Sequence, residues 1–328
     1  MDRVNEVLGT IATFSRVELN ALMKKVDALK AGTSDRSGEK VGVLRVAKRA
    51  PAGCPDCGSR AVKGHGKYRG RQRYKCLACG RTFNDLSETA LARSQKPTVL
   101  RDFAAQMAGG GVSLRQSARG LGISLGTAFN WRHKVLKGYS LNPSRKLKGI
   151  AEADETFFLH SEKGSRALSS GKKARKRGGK AKKAGVSDEQ VPVILGCDRE
   201  GEMVIGVAGR GRISLKDVDR VLGNRIDPDA TLCTDSHSSF RAFAKANQLK
   251  YRPVNVSKGR RVVRKVYHIQ NANNAHTRLK NWISRFNGVS TRHLNNYMQW
   301  FALMEETQSL ATPEDQFVDR TVTRRRRN

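Results

Sequence analysis

Two acids stand where strand residues rather than surface polar groups are expected: Asp154 inside the apolar run GIAEADETFF (149–158), and Asp235 closing ATLCTD. Carboxylates brought together from neighbouring buried strands suit hard divalent cations, because Mg2+ and Mn2+ prefer oxygen donors. Two such ions roughly 3.5 to 4 Å apart would activate an attacking oxygen and stabilise a leaving one in phosphodiester cleavage. The stretch YHIQNANNAHTRLKNW (267–282) adds four Asn and two His, where a plain surface helix would use Glu, Lys and Ala. Asn is unfavourable inside a helix because its amide competes for backbone hydrogen bonds, so a cluster of it points to a role other than propensity.

On a helix, Asn273 and Lys280 are seven residues apart and point within about 20° of each other, with His276 and Thr277 between them. Ala272, Ala275, Leu279, Trp282, Ile283 and Phe286 form the adjacent apolar side. The helix can thus pack on a sheet while the Asn273 amide oxygen serves as a third metal ligand, at the cost of one negative charge where Glu is usual. Lys280 then holds a phosphate of the strand to be cut. The plain alternative is Asn273 as a helix cap. Glu152 and Glu155, flanking Asp154, are read as turning away from the site, and Asp198 as a hairpin-turn residue.

A second metal pattern is local. Cys54, Cys57, Cys76 and Cys79 form two Cys-x2-Cys knuckles separated by 18 residues, the spacing of a structural Zn2+ site in a zinc ribbon. His65 lies between them as a bystander, and Cys197 and Cys233 read as buried structural thiols. Residues 96–140 then read as a helix-turn-helix, with Pro97 in a first helical turn, Gly122 in the turn and Ser124 capping the third helix. Ser124, Thr127, Asn130 and Arg132 are its DNA-facing candidates, with Leu125, Phe129 and Trp131 as anchors.

The elements that must position the acids follow in the order β-β-β-α-β-α-β-α. Strands are read in 149–158, VPVILGCD and EMVIGVAG, a helix in SLKDVDRVL behind a capping box, and a strand passing into a helix in ATLCTDSHSSFRAFAKA. A short strand KYRPVNV and helices at 271–286 and 290–306 complete the set. This is the order of an RNase H-like mixed sheet in which the first and fourth strands are neighbours, so the fold class is α+β/α/β, multidomain.

The 328-residue chain carries 63 Lys and Arg against 29 Asp and Glu, a formal charge of +34. Self-repulsion of that size favours a polyanionic partner, and nucleic acid is the first candidate. Basic runs lie at 163–186, with ten Lys or Arg and no acid, at 258–265, and in the terminal RRRRN. No apolar run approaches the ~20 residues of a membrane span, and the N-terminus lacks a signal-peptide layout, so a soluble cytoplasmic, nucleoid-associated protein is expected.

Taken together, GIAEADETFF, TDSHSSF and YHIQNANNAHTRLKNWISRFNGVSTRHLNNYMQW resemble the catalytic domain of bacterial insertion-sequence transposases of the DDE class, in particular the group with an Asp-Asp-Asn-Lys signature. The zinc ribbon and helix-turn-helix are similar to that group's N-terminal half, so the resemblance covers roughly 50–305. It implies Asp154 and Asp235 as the two acids, Asn273 as third ligand, Lys280 as the trailing lysine, and two Mg2+ or Mn2+ ions. It also implies hydrolysis at transposon ends followed by attack of the freed 3′-OH on target DNA, the enzyme working as a homodimer or higher oligomer on terminal inverted repeats. The expected domains are a helical arm (1–46), a zinc ribbon (47–90), a helix-turn-helix (96–140), a catalytic domain (147–308, with the basic insertion 163–186) and a basic tail (309–328). Two other readings stay open on the sequence: a DNA-binding regulator with an inactive RNase H-like domain, and a structure-selective nuclease of the same fold.

Overall fold

The computed structural model describes residues 53–110, 112–140, 146–165, 167–168, 179, 181–255 and 262–323, all within one compact unit, Arg49–Asn328. The helical arm expected at 1–46 and the terminal RRRRN lie outside the described residues, as do parts of the basic stretches at 163–186 and 258–265.

The first element is a three-stranded antiparallel ribbon, β1 (Val62–Tyr68), β2 (Arg71–Cys76) and β3 (Thr82–Asn84). Arg69 and Gly70 turn β1 into β2 with φ of 49° and 73°. Two consecutive left-handed residues are what a two-residue hairpin needs to match strand twist. Cys54, Cys76 and Phe83, with Val62 and Tyr74 against them, form the ribbon's small core.

Three helices follow: α1 (Pro97–Ala108), α2 (Leu114–Gly120) and α3 (Leu125–Ser140). Ser113 caps α2 by accepting from the Gln116 N–H, and Ser124 caps α3 by accepting from the Thr127 N–H at 3.0 Å. Gly122 takes φ 59° in the turn between them. Leu125 differs from its expected anchoring role, being 47% exposed. Phe129 and Trp131 do anchor, through edge contacts with His293 and Phe103.

The remaining sheet has strand order β6-β5-β4-β7-β8: β4 (Ile150–Leu159), β5 (Gln190–Cys197), β6 (Met203–Val207), β7 (Thr231–Thr234) and β8 (Lys250–Pro253). β4 runs antiparallel to β5 and parallel to β7, so the sheet is mixed and its first and fourth strands lie side by side. Helices α4 (Leu215–Leu222) and α5 (Ser238–Ala246) cover one face, where Ala151, Ala153, Ile194, Val218, Phe240 and Phe243 are buried together. Ser214 and Asp217 form the expected capping box of α4. Helices α6 (Gln270–Ser284) and α7 (Thr291–Thr307) cover the opposite face. The chain then forms α8 (Pro313–Val318), which runs into a π turn, Asp319–Thr323.

The C-terminal stretch read as a basic tail is therefore partly folded. Its charge is concentrated in the last four Arg, while Phe317 and Val322 ahead of them are fully buried. The π turn packs so closely on α3 that a Cβ at Gly138 would lie 2.2 Å from the Thr321 carbonyl oxygen. The helix-turn-helix also docks on the sheet domain. Trp300 donates to the Met107 carbonyl at 3.1 Å, and Trp282 (3.0 Å) and Arg285 (2.7 Å) both donate to the carbonyl of Gly110, just beyond α1.

Candidate active site and thiolate cluster

The thiolate cluster is built by two tight turns. Sγ of Cys54 lies 3.6 Å from that of Cys79, and Cys57 lies 3.6 Å from Cys76. All four sulfurs are within 4.8 Å of one another. A disulfide needs about 2.05 Å, whereas four Zn–S bonds of about 2.3 Å in a tetrahedron put sulfurs about 3.8 Å apart, so the cluster fits one zinc ion. Backbone N–H groups, that of Cys79 foremost, draw the Cys76 thiol down to about 7, whereas burial and the neighbouring sulfurs raise those of Cys57 and Cys79. Cys197 and Cys233 are buried and free, and burial pushes their thiols up to about 12 and about 11.

The carboxylate site arises from sheet register. Ile150, Ala151 and Glu152 of β4 pair with Thr231, Leu232 and Cys233 of β7. Carried on two residues, that register sets Asp154 level with Asp235, just past the end of β7. There the chain turns sharply: Ser236 is held at φ 79°, and the Asp235 Oδ1 accepts from the His237 N–H at 3.1 Å. A non-glycine residue in the left-handed region stores local strain of the kind found at functional turns. His237 in turn caps α5 through the Ser239 N–H.

Carboxylate oxygens of Asp154, Asp235 and Glu155 all lie within 4.8 Å of one another. Glu155 corrects the sequence reading. Alternation does put its Cβ on the face opposite Asp154, but β7 has ended at this level, so no strand separates the two faces and the longer side chain reaches round the open edge. Its Oε2 is buried without a hydrogen-bond partner. Burial first, then the charges of Asp235 and Asp154, push the Glu155 carboxyl up to about 7, and burial also raises Asp235. Crowded hard oxygen donors with an orphaned buried oxygen fit a divalent cation. Glu152 is a second correction: two residues before Asp154, it shares that residue's face and is fully buried.

Helix α6 lies along the Asp154 face. His276 is 7% exposed, with Nδ1 3.5 Å from Asp154 Oδ2 and Nε2 unpartnered. Asn273 and Lys280 are exposed. At 100° per residue they stand roughly 60° and 40° round the helix from His276, on the flank away from the buried stripe. Asp198 is a turn residue as expected, its Oδ1 accepting from the Glu200 and Glu202 N–H groups. Arg132 does not serve as the DNA-facing side chain it was read to be. It is 3% exposed, donates to the Val112 carbonyl and lies 5.0 Å over the Trp300 ring, because its long stem folds under α3 into the docking interface. Ser124 and Asn130 are exposed and Thr127 is partly so. Among the described residues no helix is long and apolar enough to cross a membrane.

The profile of the ISXO2-like transposase domain matches residues 146–306. The uncharacterized protein in transposable element ISH50 of Halobacterium salinarum is 26% identical over 261 residues, covering 77% of this chain and 85% of that one. Among solved structures, the Mos1 Strand Transfer Complex (11% identity, 63% of this chain and 75% of that one, TM-score 0.20) and the Mos1 mariner paired end complex with Mn (10%, 64% and 78%, TM-score 0.21) are similar only at a level on which no argument rests. The matched domain spans the whole five-stranded sheet, both acids and helix α6, so this part of the chain is similar to the ISXO2-like domain of insertion-sequence transposases.

Proposed function

We propose that this chain is a transposase that cleaves the strands at the ends of its own element and joins the freed 3′ ends to target DNA, with an RNase H-like domain as the catalytic body. The observation that supports this reading is the meeting of Asp154 and Asp235 at one sheet end, beside a helix whose His276 reaches Asp154. Asp154, Asp235 and the Asn273 amide oxygen would hold Mg2+ or Mn2+, with Glu155 supplying the negative charge that Asn lacks. When bound, such ions lower the pKa of the attacking hydroxyl and neutralise the leaving oxygen.

The chain's own groups do the rest. His276 fixes the Asp154 carboxylate from the helix side, and the capped turn after Asp235 fixes the other. Lys280, exposed on the same flank, holds a phosphate of the cut strand. Ser124, Thr127 and Asn130 on α3, with the cationic ribbon hairpin, bind the terminal inverted repeats, and a homodimer or larger assembly brings two ends together.

Purified protein incubated with its own element ends and Mg2+ or Mn2+ tests this. Nicks at the 3′ ends and joined products are expected. Cleavage without joining would identify a nuclease, and binding with neither would identify a regulator; either result overturns the proposal.

A further inference from the structure

Helix α6 lacks a cap of its own. Ile269 stands at its N-cap position and offers no side-chain acceptor, so the Asn271 and Ala272 N–H groups have no local partner. The partner comes from 119 residues away. Glu152 Oε2, on β4, accepts from the Asn271 N–H at 2.8 Å and the Ala272 N–H at 3.1 Å. Its Oε1 accepts from the Asn271 side-chain amide at 3.1 Å and pairs with Arg199 at 2.9 Å. Arg199, from the β5–β6 turn, also holds the loop leading into α6, donating to the Val266 carbonyl at 3.1 Å. Its Nη1 lies 2.9 Å from His268 Nε2. The Gln270 N–H lies 3.3 Å from the other ring nitrogen, His268 Nδ1. That nitrogen is also 3.3 Å from Glu152 Oε1.

Four donors converge on one fully buried carboxylate, and the positive end of the helix favours its charge there. The geometry has a further consequence. Glu152 and Asp154 are two residues apart on one face of β4, a rise of about 7 Å. Ala272 and His276 are four apart on α6, about 6 Å. The strand therefore grips the helix at two levels in step: Glu152 at its N-terminus and Asp154 at His276.

We infer that Glu152 is the positioning residue of the reaction, fixing the height and rotation of α6 so that Asn273 and His276 meet the Asp154–Asp235 pair. This rests on the reading of Asn273 as a ligand, and it goes beyond that reading by making a buried carboxylate that touches no reactant set the third ligand's place.

The test uses the full-length protein with zinc bound, comparing Glu152→Gln, Asn273→Ala and the double variant. Mn2+ binding is measured by calorimetry, and strand cleavage with pre-bound element ends. Glu152→Gln is expected to weaken Mn2+ binding and slow cleavage by ~10- to 100-fold, the range for groups that orient metal ligands, with end-DNA affinity unchanged. In the Asn273→Ala background it should add less than it does alone, because one of the two groups it places is gone. Independent, multiplying losses in the double variant, or unchanged Mn2+ affinity in Glu152→Gln, overturn the proposal. Asn273→Ala at full activity would instead overturn the ligand assignment, so the two failures are distinct. Should Glu152→Gln not fold, Asn271→Ala removes one anchoring donor and leaves the carboxylate paired with Arg199. A smaller loss in both readouts then supports the role, and none overturns it.

Discussion

The two clusters of metal-binding side chains in this chain are made in opposite ways. The four thiols come from two tight turns within 26 residues of sequence, and the small core beside them is Phe83 with Val62 and Tyr74. The carboxylates come from strands 81 residues apart, and their meeting depends on a sheet register, a strained turn and a helix gripped from below. With zinc bound the first centre would stabilise its fold, whereas the second is held by the sheet and helices around it. A structural metal would supply folding free energy to a ribbon whose own core is very small. Three carboxylates crowded within 4.8 Å repel, so their scaffold must bear that cost before any cation arrives.

The largest expected effect strikes the assembled centre. Asp154→Ala or Asp235→Ala should reduce strand cleavage to background while leaving end binding and the melting temperature close to wild type, since removing an acid relieves repulsion. A mutant that cuts at the normal rate would remove that residue from the site. Cys57→Ser should do the converse: zinc lost by elemental analysis and protease sensitivity confined to residues near 53–92, with the melting of the sheet domain preserved. Loss of the whole cooperative transition would mean that the two centres are not independent.

Which oxygen completes the assembled centre comes next. Asn273→Ala should lose most cleavage, whereas Asn273→Asp should retain part of it and shift the preference between Mg2+ and Mn2+, because a carboxylate restores the donor and adds charge. As a mere cap, Asn273→Ala would cost ~1 kcal/mol of stability and leave catalysis untouched.

A smaller effect separates scaffold from ribbon by pH. His133, stacked on His293 at 3.9 Å between α3 and α7, is held at about 4 by burial, then by His293, Arg132 and Arg292. Its Nδ1 accepts from the Asn296 amide at 3.0 Å, which requires the neutral ring. An unfolded imidazole titrates near 6.5, so the unfolded chain takes up the proton first. The stabilisation is therefore complete above pH 6.5 and is lost as pH falls toward 4. Discounted for partial exposure, it amounts to roughly 1–2 kcal/mol. Thermal melts from pH 7.5 to 4.5 should show this slope in the wild type and a flatter one in His133→Phe; identical slopes would refute it. Smallest of all, Lys280→Ala should lower the salt slope of DNA binding by about one unit.

The contrast between the two centres also explains what could be read from the sequence. Cys-x2-Cys spacing is local chemistry and needs no fold, and Asp154 and Asp235 stand out as acids in apolar strands. Glu155 was hidden because alternation predicts where a Cβ points, and that rule separates side chains only while a neighbouring strand lies between the faces. Glu152 was hidden because its partners, Arg199, His268 and Asn271, lie 47 to 119 residues away. Arg132 misled because an exposed and a tucked guanidinium look alike in sequence; only the rings of Trp300 and Phe286 beneath it decide. The helix in the C-terminal stretch escaped notice beside the four Arg that follow it.

The Gly110 carbonyl receives both Trp282 and Arg285 from the helix that carries Asn273. With α3 seated on an inverted repeat, that double anchor makes the span from reading head to cutting edge a fixed ruler. A few base pairs inserted between the repeat and the element's end would then shift the scissile phosphate off the ruler's mark, and the molecule would have no slack with which to follow it.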